Sequence, residues 1–541
     1  MLRPVILAIA CLSVVSSKEF LDVNIKQGTV RGYKSDGVFK FYGIPYATAP
    51  TGTDKYKAPL PPPTWQKVFE ATKRRTACPQ PAYYKLLKSK LIFKEDCLIA
   101  NVHVPETDRR NLPVVVFIHG GAYLFGYGDR DTPNTLVKNK EIIAVTFNYR
   151  LGPYGFLCLG TEGAPGNAAM KDQVALLRWV QENIASFGGD PKSVTIAGCS
   201  AGGSSVDLHM VSKMSRGLFH RAIAGSGACT ATFSLDTDPI ENAKFYAKFL
   251  GFDSNNSNDT NDAEQLTAFY KNTPLSALNS VIVMGKPDAS VAFMPCIEKD
   301  VGQEMFLDSY PFTSGDYQPV PMLFGFTSME GMLRMFFFRK YENLMNRNFS
   351  YFLPENLAFE STEERQEVAD RLRHFYFGNQ KIDMNTAENY INYYTDRLFT
   401  HSITKSIKMH VAAGNKEVYF YEYLFSDESV PNSNFETIRG ATHCSQSFAV
   451  LDDANEDGMS QEYKRMKAVM RELWSNFIKT GKPVPENSKL PYWAPVGENG
   501  LPFMSLKSQL ELKWHRSDQD RMDLWDSIYA KHFRKPVAPH S

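Results

Sequence analysis

Apolar and β-branched residues gather in short runs bounded by turn-forming residues, at 113–118, 141–150, 193–198, 319–327 and 417–425. Several of these runs lack strict alternation, as strands covered on both faces do. Between them the period changes: Val174, Leu177, Val180 and Ile184 recur at helical spacing within 168–187. Met466, Val469, Met470, Leu473, Trp474 and Phe477 do the same within 462–480. Strands alternating with helices predict an α/β fold: a central, mostly parallel twisted sheet with helices on both faces and long insertions. No internal repeat is present, and no long Pro- or Ser-rich linker divides the chain. The most polar stretch, 253–264, reads as a surface loop. One large domain over residues 18–541 is therefore expected.

Composition narrows the class. The 541 residues carry 60 Lys and Arg against 59 Asp and Glu, a net charge of +1, and are 43% hydrophobic. Such a chain is too apolar to be disordered and too evenly charged to favour nucleic acid as a partner. The triplet Lys73-Arg74-Arg75 is read as a solvated face. Residues 1–17 have the layout of a secretory signal: Arg3, an apolar stretch from Val5 to Val15, then Ser16 and Ser17 before a cleavage point at Lys18. That stretch is shorter than the roughly 20 residues needed to cross a bilayer, and no later segment reads as a span, so no integral membrane anchor is expected. The C-terminus has neither a retention signal nor a lipid-anchor tail. A secreted or secretory-lumen protein follows, with possible glycosylation at Asn255, Asn258 and Asn348.

Eight cysteines less Cys11 leave seven, so at least one thiol stays unpaired or pairs with another chain. Cys78 and Cys97 bracket a local loop whose closure would contribute roughly 3 kcal/mol in the chain-entropy model; two reduced buried thiols are the alternative. Cys229 and Cys296 are candidates for a second bridge. Cys199 and Cys444 read as small buried thiols, with a redox switch as the alternative.

The sharpest chemical signal is Gly198-Cys199-Ser200-Ala201-Gly202-Gly203, a G-x-S-x-G directly after the apolar run 193–198 and before a helix-compatible segment. A tight strand-to-helix turn needs small neighbours so that the serine Oγ stands clear of the backbone. A nucleophilic serine also needs donors for an oxyanion, and His119-Gly120-Gly121-Ala122 follows the run 113–118. The N–H groups of Gly120, Gly121 and Ala201 would supply three. Glu330 stands just past the run 319–327, and His443 in a polar loop after 417–425. The chain order Ser200, Glu330, His443 is the order expected of an α/β-hydrolase. The scattered histidines show no zinc-ligand spacing, and the chemistry requires neither metal nor organic cofactor.

These residues together resemble the type-B carboxylesterase/cholinesterase family. The likeness extends over nearly the whole mature chain, through 27–32, 41–47, the cysteine-containing segment 95–102 and the run 183–191 into the elbow. It implies an α/β-hydrolase fold, with Ser200 as nucleophile, Glu330 as acid, His443 as base and Cys78–Cys97 as the first disulfide. Ser226, in Gly225-Ser226-Gly227, is similar to the family's supporting serine near the acid. The implied reaction is hydrolysis of a small carboxylic ester by water through an acyl-enzyme on Ser200.

Some positions depart from the family. A Glu commonly precedes the nucleophile and a carboxylate often lies three residues after the base; here Cys199 and Gln446 occupy those places. Cholinesterases also carry a tryptophan in the first disulfide loop, where this chain has Tyr83 and Tyr84. A preference for neutral esters is expected. Residues 291–295 resemble the family's acyl-pocket segment, while 335–338 read first as core packing and second as pocket wall or lipid-facing surface. Two alternatives are a catalytically silent adhesion or binding protein, disfavoured because all three catalytic positions are filled, and a lipase acting at interfaces.

Overall fold

The computed structural model describes residues 19–81, 91–130, 132–252, 262–279, 286–313, 317–427, 438–452, 456–497 and 500–539. The segment 1–17 read as a signal, the sequons at Asn255 and Asn258, and Tyr83 and Tyr84 lie outside these residues. The main strands are β1 (Phe20–Ile25), β2 (Gly28–Ser35), β3 (Val38–Pro45), β4 (Ile99–Pro105), β5 (Leu112–Ile118) and β6 (Ile143–Phe147). They continue with β7 (Gly189–Cys199), β8 (Arg221–Gly225), β9 (Met322–Thr327), β10 (Val418–Tyr423), β11 (Phe503–Leu506) and β12 (Leu510–Lys513). In space they run β1-β2-β3-β4-β6-β5-β7-β8-β9-β10-β11-β12. From β6 through β11 every neighbour is parallel, and antiparallel strands flank that centre at both margins.

The missing alternation has a direct cause. Val114, Val116 and Ile118 of β5 enter one hydrophobic core, while Val115 and Phe117 enter a second on the opposite face. Helices α1 (Ala168–Asn183) and α2 (Ala201–Val211) cover the first face; α3 (Gln461–Thr480) covers the second, with Trp474 stacked over Phe117. Apolar residues on both sides of a strand leave no polar face to mark its period. The ends of α3 are set locally: Ser460 Oγ accepts from the Tyr463 N–H, and Gly481, at φ +79°, closes the last turn.

The expected strand 141–150 ends early, at Phe147, because Arg150 turns inward. Its guanidinium is fully buried and bidentate to Asp172 of α1, with further bonds to the carbonyls of Lys55, Lys57 and Ala168. A buried charge is tolerated only with such complete pairing. The expected helix 168–187 stops at Asn183 and continues as a 3₁₀ turn, Ile184–Phe187. The basic triplet is exposed as expected, although Arg74 also binds the buried Asp129.

Cysteine pairing corrects two expectations. Cys78–Cys97 forms, but Cys296 bonds Cys158 rather than Cys229, and Cys199 bonds Cys444 instead of leaving two thiols. Cys229 is free and fully buried, beside Asp207 of α2. Asp207 also accepts from Ser406 and His410, tying α2 to the helix His401–Ala412. Among the described residues no helix is long and apolar enough to cross a membrane.

Asp396 opens a π-helical turn, Asp396–Thr400, joining the helices Ala387–Thr395 and His401–Ala412. It is wholly buried; Tyr376 Oη donates to Oδ2 (2.6 Å), and Oδ1 has no partner among the described residues. Burial pushes its carboxyl up to about 7. Between its ordinary value of 3.8 and that value the folded chain keeps a proton that the unfolded chain releases, so this group's stabilisation fades as pH rises. Asp396→Asn is expected to lack that slope. The melting temperature of the variant relative to the wild type should rise from pH 4.5 to 7 and then stay level; parallel curves would contradict this.

Candidate active site

Parallel strands deliver their C-terminal ends to one edge of the sheet, and the candidate residues collect there. Ser200 lies between β7 and α2 at φ +63° and ψ −130°. Such a conformation is costly for a side-chain-bearing residue and persists only when its surroundings enforce it. The enforcement is visible: the Ser200 N–H donates to Gly225 O (2.9 Å), and its carbonyl accepts from the Ser204 N–H (2.9 Å). A Cβ on Gly202 would lie 2.1 Å from Ile118 O, so α2 can start this close to β5 only because the residue is glycine.

Glu330 begins a 3₁₀ segment, Glu330–Phe337, three residues after β9. It has no exposed surface. Oε1 accepts from Ser226 Oγ (2.5 Å) and the Thr327 N–H (2.8 Å), while Oε2 pairs with His443 Nδ1. Two main-chain contacts align the partners: the Met329 N–H donates to Ala441 O (3.0 Å), and the Ala441 N–H to Ser328 Oγ (3.2 Å). With Nδ1–H committed to the carboxylate, Nε2 of a neutral ring is the acceptor. Phe399 packs against the imidazole, with ring centroids 4.8 Å apart.

Ser200 and His443 line one cavity of about 380 Å³. No hydrogen bond joins them directly. Gly120 and Gly121 line the cavity too, and no described residue accepts a hydrogen bond from the N–H of Gly120, Gly121 or Ala201. The loop carrying them is tightly wound: Gly121, at φ +122°, accepts from both Leu124 and Phe125 N–H, and a Cβ there would lie 1.8 Å from Phe125 O. Much of the wall is apolar, including Phe125, Phe233, Val291, Leu398 and Phe399. Its charged side chains are Arg130 and Arg334; among the described lining residues there is no carboxylate.

Other expectations are met in part. Of the segment 291–295 only Val291 lines the cavity, while Phe293 is buried against Tyr246. The run 335–338 divides three ways: Met335 and Phe338 are core, Phe337 lines the cavity, and Phe336 is 85% exposed. Gln446, noted only as a departure, donates through Nε2 to Ser226 Oγ (2.6 Å) and thereby supports the serine that holds Glu330. No pattern in the sequence marks that link. Among the described residues no cluster of potential ligands could hold a metal.

A parallel-centred sheet bearing a serine elbow, with a buried acid–histidine pair beside it, defines an α/β-hydrolase. Residues 20–525 match the model of the carboxylesterase family, and the chain belongs to that family. It is 32% identical to esterase FE4 of Myzus persicae, over 98% of this chain and 96% of that protein. It is likewise 32% identical to a juvenile hormone esterase of Tribolium castaneum, over 86% and 84% of the two chains. The crystal structure of juvenile hormone esterase from Manduca sexta, with OTFP covalently attached, superposes with a TM-score of 0.82 at 29% identity, covering 95% of this chain and all of that one. The protein is a carboxylic ester hydrolase of the serine type.

The Ser226 hydroxyl contributes one donor to a buried charge, an interaction worth about 1.5–3 kcal/mol. Ser226→Ala is therefore expected to lower kcat on p-nitrophenyl acetate by about tenfold with the fold retained by circular dichroism. An unchanged kcat would show that Glu330 does not depend on this bond.

Proposed function

We propose that Ser200, His443 and Glu330 hydrolyse carboxylic esters through an acyl-enzyme. The Glu330–His443 pair, facing the cavity that also holds Ser200, is the observation that carries this reading. His443 Nε2 takes the Ser200 proton as Oγ bonds to the ester carbonyl carbon, and Glu330 stabilises the imidazolium. The oxyanion is received by the N–H groups of Gly120, Gly121 and Ala201. His443 then protonates the departing alcohol oxygen as its bond to the acyl carbon breaks. Water repeats the sequence from the other side, with His443 again as base, and releases the acid. Ser200→Ala should keep the fold and lose at least about 10³-fold in kcat. It should also lose covalent labelling by a fluorophosphonate probe; wild-type turnover or persistent labelling in that variant would refute the assignment.

The reading extends to substrate and compartment. Among its described residues the cavity wall offers arginines and no carboxylate to a charged alcohol, which supports neutral esters over cationic ones. For an acylcholine against its uncharged, same-size analogue, kcat/KM should favour the neutral ester by about tenfold or more; the opposite order would reject this specificity. Residues 1–17 are taken as a removable signal and 18–541 as the mature catalytic domain, a secreted glycoprotein. Three disulfides favour an oxidising compartment. Asn348 is a partly exposed acceptor candidate in its sequon.

A further inference from the structure

The disulfide Cys199–Cys444 joins the residue before Ser200 to the residue after His443, across 245 positions of sequence. It ties the last residue of β7, at the start of the serine turn, to the histidine loop: Ser200 and Cys444 stand at φ +63° and +67°. The remaining ties of the histidine loop run elsewhere. Ala441 pairs with Ser328 and Met329, Gln446 with Ser226, His443 with Glu330, Asp452 with the 132–135 segment, and α3 holds Phe448, Val450 and Leu451. These register the imidazole to the acid. Among the described residues, the loop meets the serine turn through the disulfide and a 3.8 Å contact of Gln446 Nε2 with Cys199 Sγ. Both cysteines also line the cavity that holds Ser200 and His443.

We propose that the Cys199–Cys444 disulfide is a positioning element that sets His443 relative to Ser200, and that a small dithiol can open it through the substrate cavity. The inference rests on the triad proposed above. In the opening step a dithiol thiolate attacks one Sγ, the S–S bond breaks, and the other sulfur leaves as a thiolate. The second thiol of the reagent then displaces the first sulfur. The reagent becomes a cyclic disulfide, and its two protons end on Cys199 and Cys444.

The full-length protein is treated with dithiothreitol; kcat and KM are read at intervals, and parallel aliquots are alkylated for mass mapping of each cysteine. Loss of kcat should follow the opening of Cys199–Cys444, with KM within about twofold and recovery on reoxidation. A misplacement near 1 Å can cost about 10²-fold, so a fall of roughly 10- to 100-fold is expected. Cys199→Ala with Cys444→Ala should reproduce the fall with slower fluorophosphonate labelling of Ser200. Cys158→Ala with Cys296→Ala should lower thermal stability and leave kcat at the wild-type value. Full kcat once Cys199 and Cys444 are reduced, or equal effects of the two double variants, would overturn the positioning role. Loss that follows another bridge would do so as well, and the reduction series decides even if a variant fails to fold. A wild type that turns over ester without labelling at Ser200 would instead refute the triad.

Discussion

A carboxylate with no solvent exposure has to be matched by donors, and Glu330 imposes that need on three parts of the chain at once. Ser226 comes from the end of β8, the Thr327 amide from the end of β9, and the imidazole from the loop after β10. An unmatched carboxylate at that depth would cost several kcal/mol, so the ends of these strands and the histidine loop are held together. The parallel centre of the sheet makes the arrangement possible by bringing β7, β8, β9 and β10 out at the same edge. Glycine closes the remaining gap, since α2 and β5 approach more nearly than a Cβ permits.

The elbow and the centre of the sheet were legible in the sequence for physical reasons. A strand buried on both faces leaves a continuous apolar run, and a serine turned sharply out of such a strand needs small neighbours on either side. The margins were less legible. β1 alternates exposed and buried positions over only six residues, and β11 and β12 are four residues each, too short for a period to emerge. The early end of β6 depended on Asp172, a partner 22 residues further on that no local pattern indicates.

Candidate chemistry followed the same division. Chain order singled out Glu330 and His443 as candidates among many acidic residues and eleven histidines, because few positions follow an apolar run at a strand end, and the two side chains pair in the structure. The long-range cysteine pairings were not accessible in this way: proximity in space between residues 138 or 245 apart is a product of the whole topology. The role of Gln446 was hidden for a related reason. It replaces a charge with an amide, and only the neighbouring Ser226 shows that the amide's donor is used. The cavity, finally, lies where both cores reach the sheet edge, with Ile118 from one and Phe117 and Trp474 from the other on its walls.

The leftover sulfur bears on how long such a molecule keeps its connectivity. Exchange among bridges begins with a thiolate, and Cys229 is a poor source of one: burial, reinforced by the Asp207 carboxylate, pushes its thiol well above the usual range. Without access to solvent it cannot readily reach a passing oxidant either. An unpaired cysteine beside three bridges, ordinarily an invitation to scrambling or to cross-linking between molecules, is here made chemically quiet by the same packing that holds α2 in place.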